Sequence, residues 1–286
     1  MLWMSPPCNA VRAYADFRWL PAGGEGLRIR RQCLISTHCR PVVTRYCLAM
    51  PQADPPSRAI VIGSSGAIGS ALRAALEARG LAVIGMSRSP VTADDLPIDL
   101  TDEQSIEAAA GKVRELAPFS AIYVATGLLH DQEVSPEKAL RDMDQASLMR
   151  LFAVNAVGPA LVARHFVPML PKTGRCTFAA LSARVGSISD NRLGGWYGYR
   201  ASKAALNMII KTLAIEVART RPDAICVGLH PGTVDSHLSR PFQRAVSRER
   251  LFSPDHAAAH LLSVVDALTP SQTGRCFGWD GVEIAP

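Results

Sequence analysis

The chain has 286 residues, of which 48% are hydrophobic and 20% charged, and a net charge of +6. That length suits one α/β catalytic domain of about 200–250 residues with an extension. The sequence carries no repeat or low-complexity tract, and no stretch reaches the ~18 uninterrupted apolar residues of a membrane-spanning helix.

The charge is unevenly spread. Residues 1–57 hold Arg12, Arg18, Arg28, Arg30, Arg31, Arg40 and Arg45 against Asp16, Glu25 and Asp54, a net of +4. The other residues carry only +2, which gives no footprint for nucleic acid. Arg12, Asp16 and Arg18 break any apolar core of a secretory signal. This leader reads as an organelle transit peptide or as a stretch upstream of a true start at Met50, the second being favoured. Under either reading residues 1–57 are a disordered or spurious extension, and residues 58–286 form one domain.

From Ala59 the pattern alternates strand and helix. Ala59-Ile-Val-Ile62 is a buried-strand run, and Gly63-Ser64-Ser65-Gly66-Ala67-Ile68-Gly69 is a glycine turn opening a helix over 68–79. Such a turn lets backbone approach a pyrophosphate, and the helix N-terminus offers unpaired N–H groups to it. Strands are predicted at 81–86, 96–99, 121–125, 175–181, 224–230 and 275–278. Helices are predicted at 102–116, through most of 135–170, at 196–219 and at 254–268. This is a doubly wound parallel sheet with helices on both faces.

Cofactor preference turns on the end of the second strand. A carboxylate there accepts a ribose 2′-OH, whereas a 2′-phosphate needs positive charge. Here stands Ser87-Arg88-Ser89, and Asp94 and Asp95 follow too late, beyond Pro90. An arginine fork between two hydroxyls suits a phosphate, so NADP(H) is preferred and NAD(H) remains possible.

The predicted helix at 196–219 carries Tyr199 and Lys203, four residues apart and therefore on one face. Steps of three and four from Tyr199 run through Lys203, Leu206, Ile210, Leu213 and Val217, an otherwise aliphatic stripe. A lysine on a buried stripe needs a partner. Cys176, Cys226 and Cys276 sit singly in apolar runs and read as core residues of a reducing compartment, which implies a cytoplasmic location. His256 and His260 lack the further ligands of a zinc site, so no metal is expected.

Gly63 to Gly69, Asn155, Ser182, Tyr199 and Lys203 occur in the order of the short-chain dehydrogenase/reductase family, which the chain resembles from about Ala59 to its C-terminus. The stretches Leu181-Ser-Ala-Arg-Val-Gly-Ser-Ile-Ser-Asp190 and Leu229-His-Pro-Gly-Thr-Val-Asp235 resemble its C-factor-like branch. The resemblance implies a Rossmann fold of strand order 3-2-1-4-5-6-7. It assigns catalysis to Asn155, Ser182, Tyr199 and Lys203. Tyr199 would be the proton donor or acceptor, Lys203 would tune it and bond the nicotinamide ribose, Ser182 would hold the carbonyl oxygen, and Asn155 would break its helix locally. Cofactor contacts are implied at Gly63, Ser64, Ser65, Gly66, Ile68, Gly69, Arg88, Asp99, Leu100, Ala125, Gly127, Asn155, Tyr199, Lys203, Pro231, Gly232, Thr233 and Val234. Ala67 departs from a glycine common in the family. Ala125-Thr126-Gly127 lacks the usual asparagine, and Tyr199 follows Ser182 by a slightly long 17 positions.

The expected activity is NADPH-dependent reduction of a small apolar carbonyl, or oxidation of the alcohol, under a mobile segment from Thr233 to Phe252. The alternative is a dinucleotide-binding signalling protein. By family analogy the chain would be a homodimer or homotetramer, with no nucleic-acid or membrane partner.

Overall fold

The computed structural model describes residues 58–245 and 247–286, so the leader and the expectations for residues 1–57 lie outside the described residues. Its main sheet is built from β1 (Arg58–Ile62), β2 (Ala82–Ser87), β3 (Leu96–Pro97), β4 (Ala121–Val124), β5 (Cys176–Leu181) and β6 (Ala224–His230). A small separate pair, β7 (Thr233–Val234) and β8 (Leu251–Phe252), follows, and β9 (Cys276–Gly278) and β10 (Glu283–Ile284) complete the main sheet. The strand order is β3-β2-β1-β4-β5-β6-β9-β10, all parallel except the β9–β10 edge. β9 is the expected seventh strand. β10 went unseen because two residues carry no periodicity.

The central strands read as unbroken aliphatic runs because both faces are covered. Along β1, Ile60 and Ile62 enter a core with Phe166, Phe178, Leu206 and Ile210. Ala59 and Val61 face the opposite core with Leu72, Leu76, Leu261 and Val265. The first core is covered by α2 (Glu103–Val113), α4 (Gly158–Phe166) and α5 (Tyr197–Val217), and the second by α1 (Ala67–Ala78) and α6 (Pro254–Ala267). The chain reverses direction across the sheet between β1 and β4, where open α/β sheets leave a crevice at the strand C-termini.

The helical expectation for 135–170 holds only from Gln145. Helix α3 (Gln145–Phe152) begins at Asp144, whose side chain accepts the Ser147 N–H. Before it, one 3₁₀ turn at Leu140–Asp142 interrupts an irregular segment. The Asp142 carboxylate accepts the N–H groups of Lys138 and Ala139, and buried Glu137 accepts the Gly198 N–H at 3.1 Å, tying the segment to the start of α5. These side-chain bonds compete with helix. β3 likewise stops at Pro97, because Asp99 turns to accept bonds from Thr101.

The run Gln145–Met169 has the length and apolarity of a spanning helix. In the fold it buries Leu151, Val162 and Phe166 against neighbouring elements and is interrupted by a π-helical turn at Ala153–Val157.

Candidate active site

The glycine turn follows directly from β1. Gly63 has φ +87°, and its N–H bonds the Met86 carbonyl at 2.7 Å. Helix α1 begins after Gly66 with no side-chain cap, which leaves its first N–H groups for an anion. Ser65, Gly66 and Ala67 are exposed there, and Ile68 is half-buried. Ala67 opens the helix at the surface, where its methyl group is accommodated. Two hydroxyls near the turn, Ser64 Oγ and Thr126 Oγ1, are buried without a hydrogen-bond partner among the described residues. Uncapped helix, close-approach glycines and orphaned hydroxyls fit a dinucleotide phosphate.

Gly69 is a packing necessity. A Cβ there would stand 2.0 Å from the Gly63 carbonyl oxygen, so helix and turn meet only because the side chain is absent. Gly69→Ala gains about 1 kcal/mol of helix propensity but forces an overpacked contact costing about 3 kcal/mol or more. The expected net is a lower melting temperature and loss of dinucleotide binding, read by thermal unfolding and by NADPH titration.

At the end of β2, Arg88 is exposed beside the turn and acts through its charge on Asp99. Burial opposes the Asp99 charge, but bonds from the Thr101 N–H and Oγ1 and the field of Arg88 hold its carboxyl below the usual range. Leu100, buried beside it, packs under Gly158. Asp95 lies in the loop between β2 and β3, and that loop folds back over Gly85, so Asp95 is buried, pairs with Arg73 and accepts the Thr92 hydroxyl and the Val91 N–H. Burial opposes this charge too, and those donors outweigh it, so its pKa is lowered. Arg73 is shared between the Asp95 and Glu77 carboxylates. The only sequence signal for this pairing is Gly85 inside a strand.

Asn155 sits in the π turn, fully buried. Its Oδ1 accepts the Leu128 N–H at 2.8 Å, and its Nδ2 donates to the Leu128 carbonyl at 2.7 Å and to Ser202 Oγ at 3.1 Å. A local break of this kind exposes a helix interior to its surroundings. Here it links the loop after β4 to α5. In that loop Ala125 bonds Ile62 and Gly127 is exposed. A Cβ on Gly127 would lie 3.6 Å from Lys203 Nζ and 3.8 Å from Asn155 Oδ1.

Tyr199 and Lys203 are both buried on α5, and Lys203 Nζ lies 5.8 Å from the Tyr199 ring centre. Lys203 donates to the Leu181 carbonyl at 2.7 Å. Burial pushes the Tyr199 phenol up to about 12 and the Lys203 ammonium down to about 8. In the protein alone desolvation governs both groups, and Tyr199 is a neutral acid at pH 7.

Ser182 follows β5 directly, and its hydroxyl is bonded to α5. Its hydroxyl donates to Asn207 Oδ1 at 2.6 Å, beside Gly228 and Cys276. Asn207 is eight residues along α5 from Tyr199, about 12 Å of helix. The residue after Ser182, Ala183, belongs to the apolar cluster that includes Tyr199, Leu129, Val134 and Leu151.

Pro231 and Gly232 follow β6. Gly232 has φ +76°, and a Cβ there would meet the Phe252 ring at 2.7 Å. Val234 is buried and pairs with Phe252, so the segment 233–252 is anchored at both ends. Between these anchors Leu238 accepts a hydrogen bond from His130 Nε2 at 3.1 Å.

These geometries agree with the similarities of the chain. The sequence pattern of the short chain dehydrogenase family matches residues 57–246. The chain is 36% identical over 147 residues to the C-signal protein of Myxococcus xanthus, covering 51% of this chain and 82% of that protein. It is 28% identical over 234 residues to 1-hydroxy-2-glutathionyl-2-methyl-3-butene dehydrogenase of Rhodococcus sp. (strain AD45), covering 79% and 97%. NADPH-bound carbonyl reductase from chicken fatty liver shares the fold at TM-score 0.70 and 22% identity, over 81% of this chain and 95% of that one. Glycine turn, Tyr/Lys pair and family match together place the chain in the short chain dehydrogenase family, as an NAD(P)-dependent oxidoreductase.

Proposed function

We propose that the protein is an NADPH-dependent carbonyl reductase that also runs in the alcohol-oxidising direction on a small apolar substrate. The observation that carries this reading is the buried Tyr199–Lys203 pair beside Asn155 at the C-terminal edge of the sheet. The dinucleotide supplies the hydride when bound. Tyr199, neutral at pH 7, donates the proton to the carbonyl oxygen and takes it back in the reverse direction. Lys203 offers an ammonium to the ribose hydroxyls, and Asn155 holds the Leu128 backbone and Ser202 in register around it. Val234 and Gly232 would meet the nicotinamide end, while Gly63 to Gly69 would hold the phosphates.

Preference for the 2′-phosphate rests on exposed Arg88 and on the pairing of buried Asp95 with Arg73. A charge-assisted contact contributes about 1.5–3 kcal/mol. Arg88→Ala is therefore expected to weaken NADPH binding roughly 10- to 100-fold and to leave NADH nearly unchanged, as checked by fluorescence titration with each dinucleotide. Equal losses for both would remove Arg88 from the phosphate site. Turnover of NADPH at 340 nm with small aldehydes and ketones tests the reaction itself.

Exposed Met149, Val157, Met208 and Ile215 on α3, the π turn and α5 support assembly as a homodimer or homotetramer through these helices. The buried free thiols of Cys176, Cys226 and Cys276 support a reducing, cytoplasmic setting. Similarity to C-signal favours a second reading, in which dinucleotide binding serves signalling.

A further inference from the structure

Helix α5 grips the end of β5 at two consecutive residues. Lys203 Nζ donates to the Leu181 carbonyl at 2.7 Å, and one turn further along the same helix face Asn207 Oδ1 accepts the Ser182 hydroxyl at 2.6 Å. Tyr199, Lys203 and Asn207 thus form one stripe at spacings of four, of which only the first two belong to the Tyr/Lys pair. The room for Asn207 is made on β6. Gly228 pairs across the sheet with Ala180 on one side and with Cys276 on the other. A Cβ on Gly228 would lie 3.3 Å from Asn207 Oδ1, 3.3 Å from Cys276 Sγ and 3.4 Å from Ser182 Cβ. A glycine inside a strand marks such a close approach.

A serine hydroxyl has one proton to donate, and a carbonyl oxygen can only accept. With Ser182 as the hydroxyl that meets the carbonyl oxygen, Asn207 Oδ1 and the substrate compete for the same proton. The amide of Asn207 can take either side of that competition, because it carries an acceptor and a donor. Turned over about its Cβ–Cγ bond, it presents Nδ2–H to Ser182 Oγ and releases the hydroxyl proton toward the substrate. Among the described residues Asn207 makes no other side-chain hydrogen bond, so the amide is not locked in one orientation. Cys276 is the other polar neighbour of the hydroxyl. Burial pushes its thiol up to about 11 against a bond with Ser182 that lowers it. It therefore stays an uncharged, weak acceptor at pH 7 and does not take the proton from Asn207.

We infer that Asn207 is a positioning residue for the reductase reaction proposed above, and rests on that reading, with its amide setting the direction of the Ser182 proton. With Oδ1 toward Ser182 the hydroxyl is held on α5. With Nδ2 toward it the hydroxyl aims its proton at the carbonyl oxygen as negative charge develops there. Ser182 keeps this proton throughout, and Tyr199 supplies the one that is transferred. Asn207 itself makes no contact with the reacting atoms.

The test measures kcat and KM of the full chain with NADPH and whichever of propanal, cyclohexanone and benzaldehyde the wild type turns over fastest. Asn207→Asp keeps the shape but can only accept, so it holds the Ser182 proton. Its kcat is expected to fall about 10²-fold, the loss of one oxyanion donor, with a far smaller change in KM and with NADPH affinity retained. Asn207→Leu has similar bulk and no acceptor, leaves the proton free but unaimed, and is expected to lose less. A packing role predicts the reverse order, because Asp is closer in shape, and that order would overturn the inference. In a Ser182→Ala background both substitutions are expected to leave kcat where Ser182→Ala alone puts it, since no proton remains to be directed. Losses of the same size in both backgrounds, or an unchanged kcat in Asn207→Asp, would overturn the inference and leave the reductase reading standing. Melting temperatures identify a variant that fails to fold. Should Asn207→Asp be that variant, Asn207→Leu decides, because a loss that disappears with Ser182→Ala supports the inference, and a loss that persists, or no loss, overturns it. Turnover of none of the three probes by the NADPH-bound wild type would overturn the reductase reading and this inference with it.

Discussion

Tyr199→Phe is expected to lower kcat by roughly 10²–10⁴, the range that positioned proton transfer contributes, while NADPH still binds. The substitution removes one hydroxyl and keeps the ring, so the edge contact with Trp196 and the place in the apolar cluster of Ala183 and Leu151 survive. The removed group is a hydroxyl that burial holds neutral up to about 12. Single-turnover oxidation of bound NADPH, beside an NADPH titration, separates the two effects. Lost turnover with retained binding is the enzymatic outcome. Unchanged biological output from the variant would instead favour dinucleotide-dependent signalling.

Lys203→Met is expected to abolish turnover and yet raise stability. Lys203 is 2% exposed, and burial takes its ammonium from 10.5 to about 8. That difference costs the folded state about 3 kcal/mol at neutral pH. Losing the bond to the Leu181 carbonyl returns about 1 kcal/mol of it, so a net gain of about 2 kcal/mol remains. The sign with pH follows from proton counting. Between about pH 8 and 10 the unfolded chain keeps the lysine proton that the folded chain has released, so wild-type stability rises with pH across that window. Above about pH 10 the phenol opposes this, because the folded state retains a Tyr199 proton that the unfolded state loses. In Lys203→Met the rise between pH 8 and 10 should vanish. Urea unfolding of both proteins at pH 7 and pH 9.5 reads both expectations, and a less stable variant would show that the carbonyl bond outweighs desolvation. A charged group kept at such a cost is the signature of a site selected for chemistry.

Much of this site is legible in local pattern. Buried parallel strands are short aliphatic runs, so Ala59-Ile-Val-Ile62 followed by glycines announces a strand, a turn and a helix start without reference to anything distant. Tyr199 and Lys203 are found the same way, because four residues of helix put them on one face whatever packs against it. Asn155 is less obvious. Its π turn is a backbone irregularity fixed by bonds to Leu128 and Ser202, respectively 27 and 47 positions away.

What the sequence determined, then, is the order of elements and the residues with short-range spacing rules, since period and turn chemistry act within a few residues. Tertiary structure alone decided which side chains meet. A single step at the end of β5 separates Ser182, turned to Asn207, from Ala183, in the apolar cluster of Tyr199, and such a step reverses the face presented. Asp95 returns to Arg73 across a loop, and His130 reaches Leu238 from 108 positions away. The shifted proton affinities of Tyr199 and Lys203 belong to the same class, because desolvation is produced by every element packed around a group and by no residue in isolation.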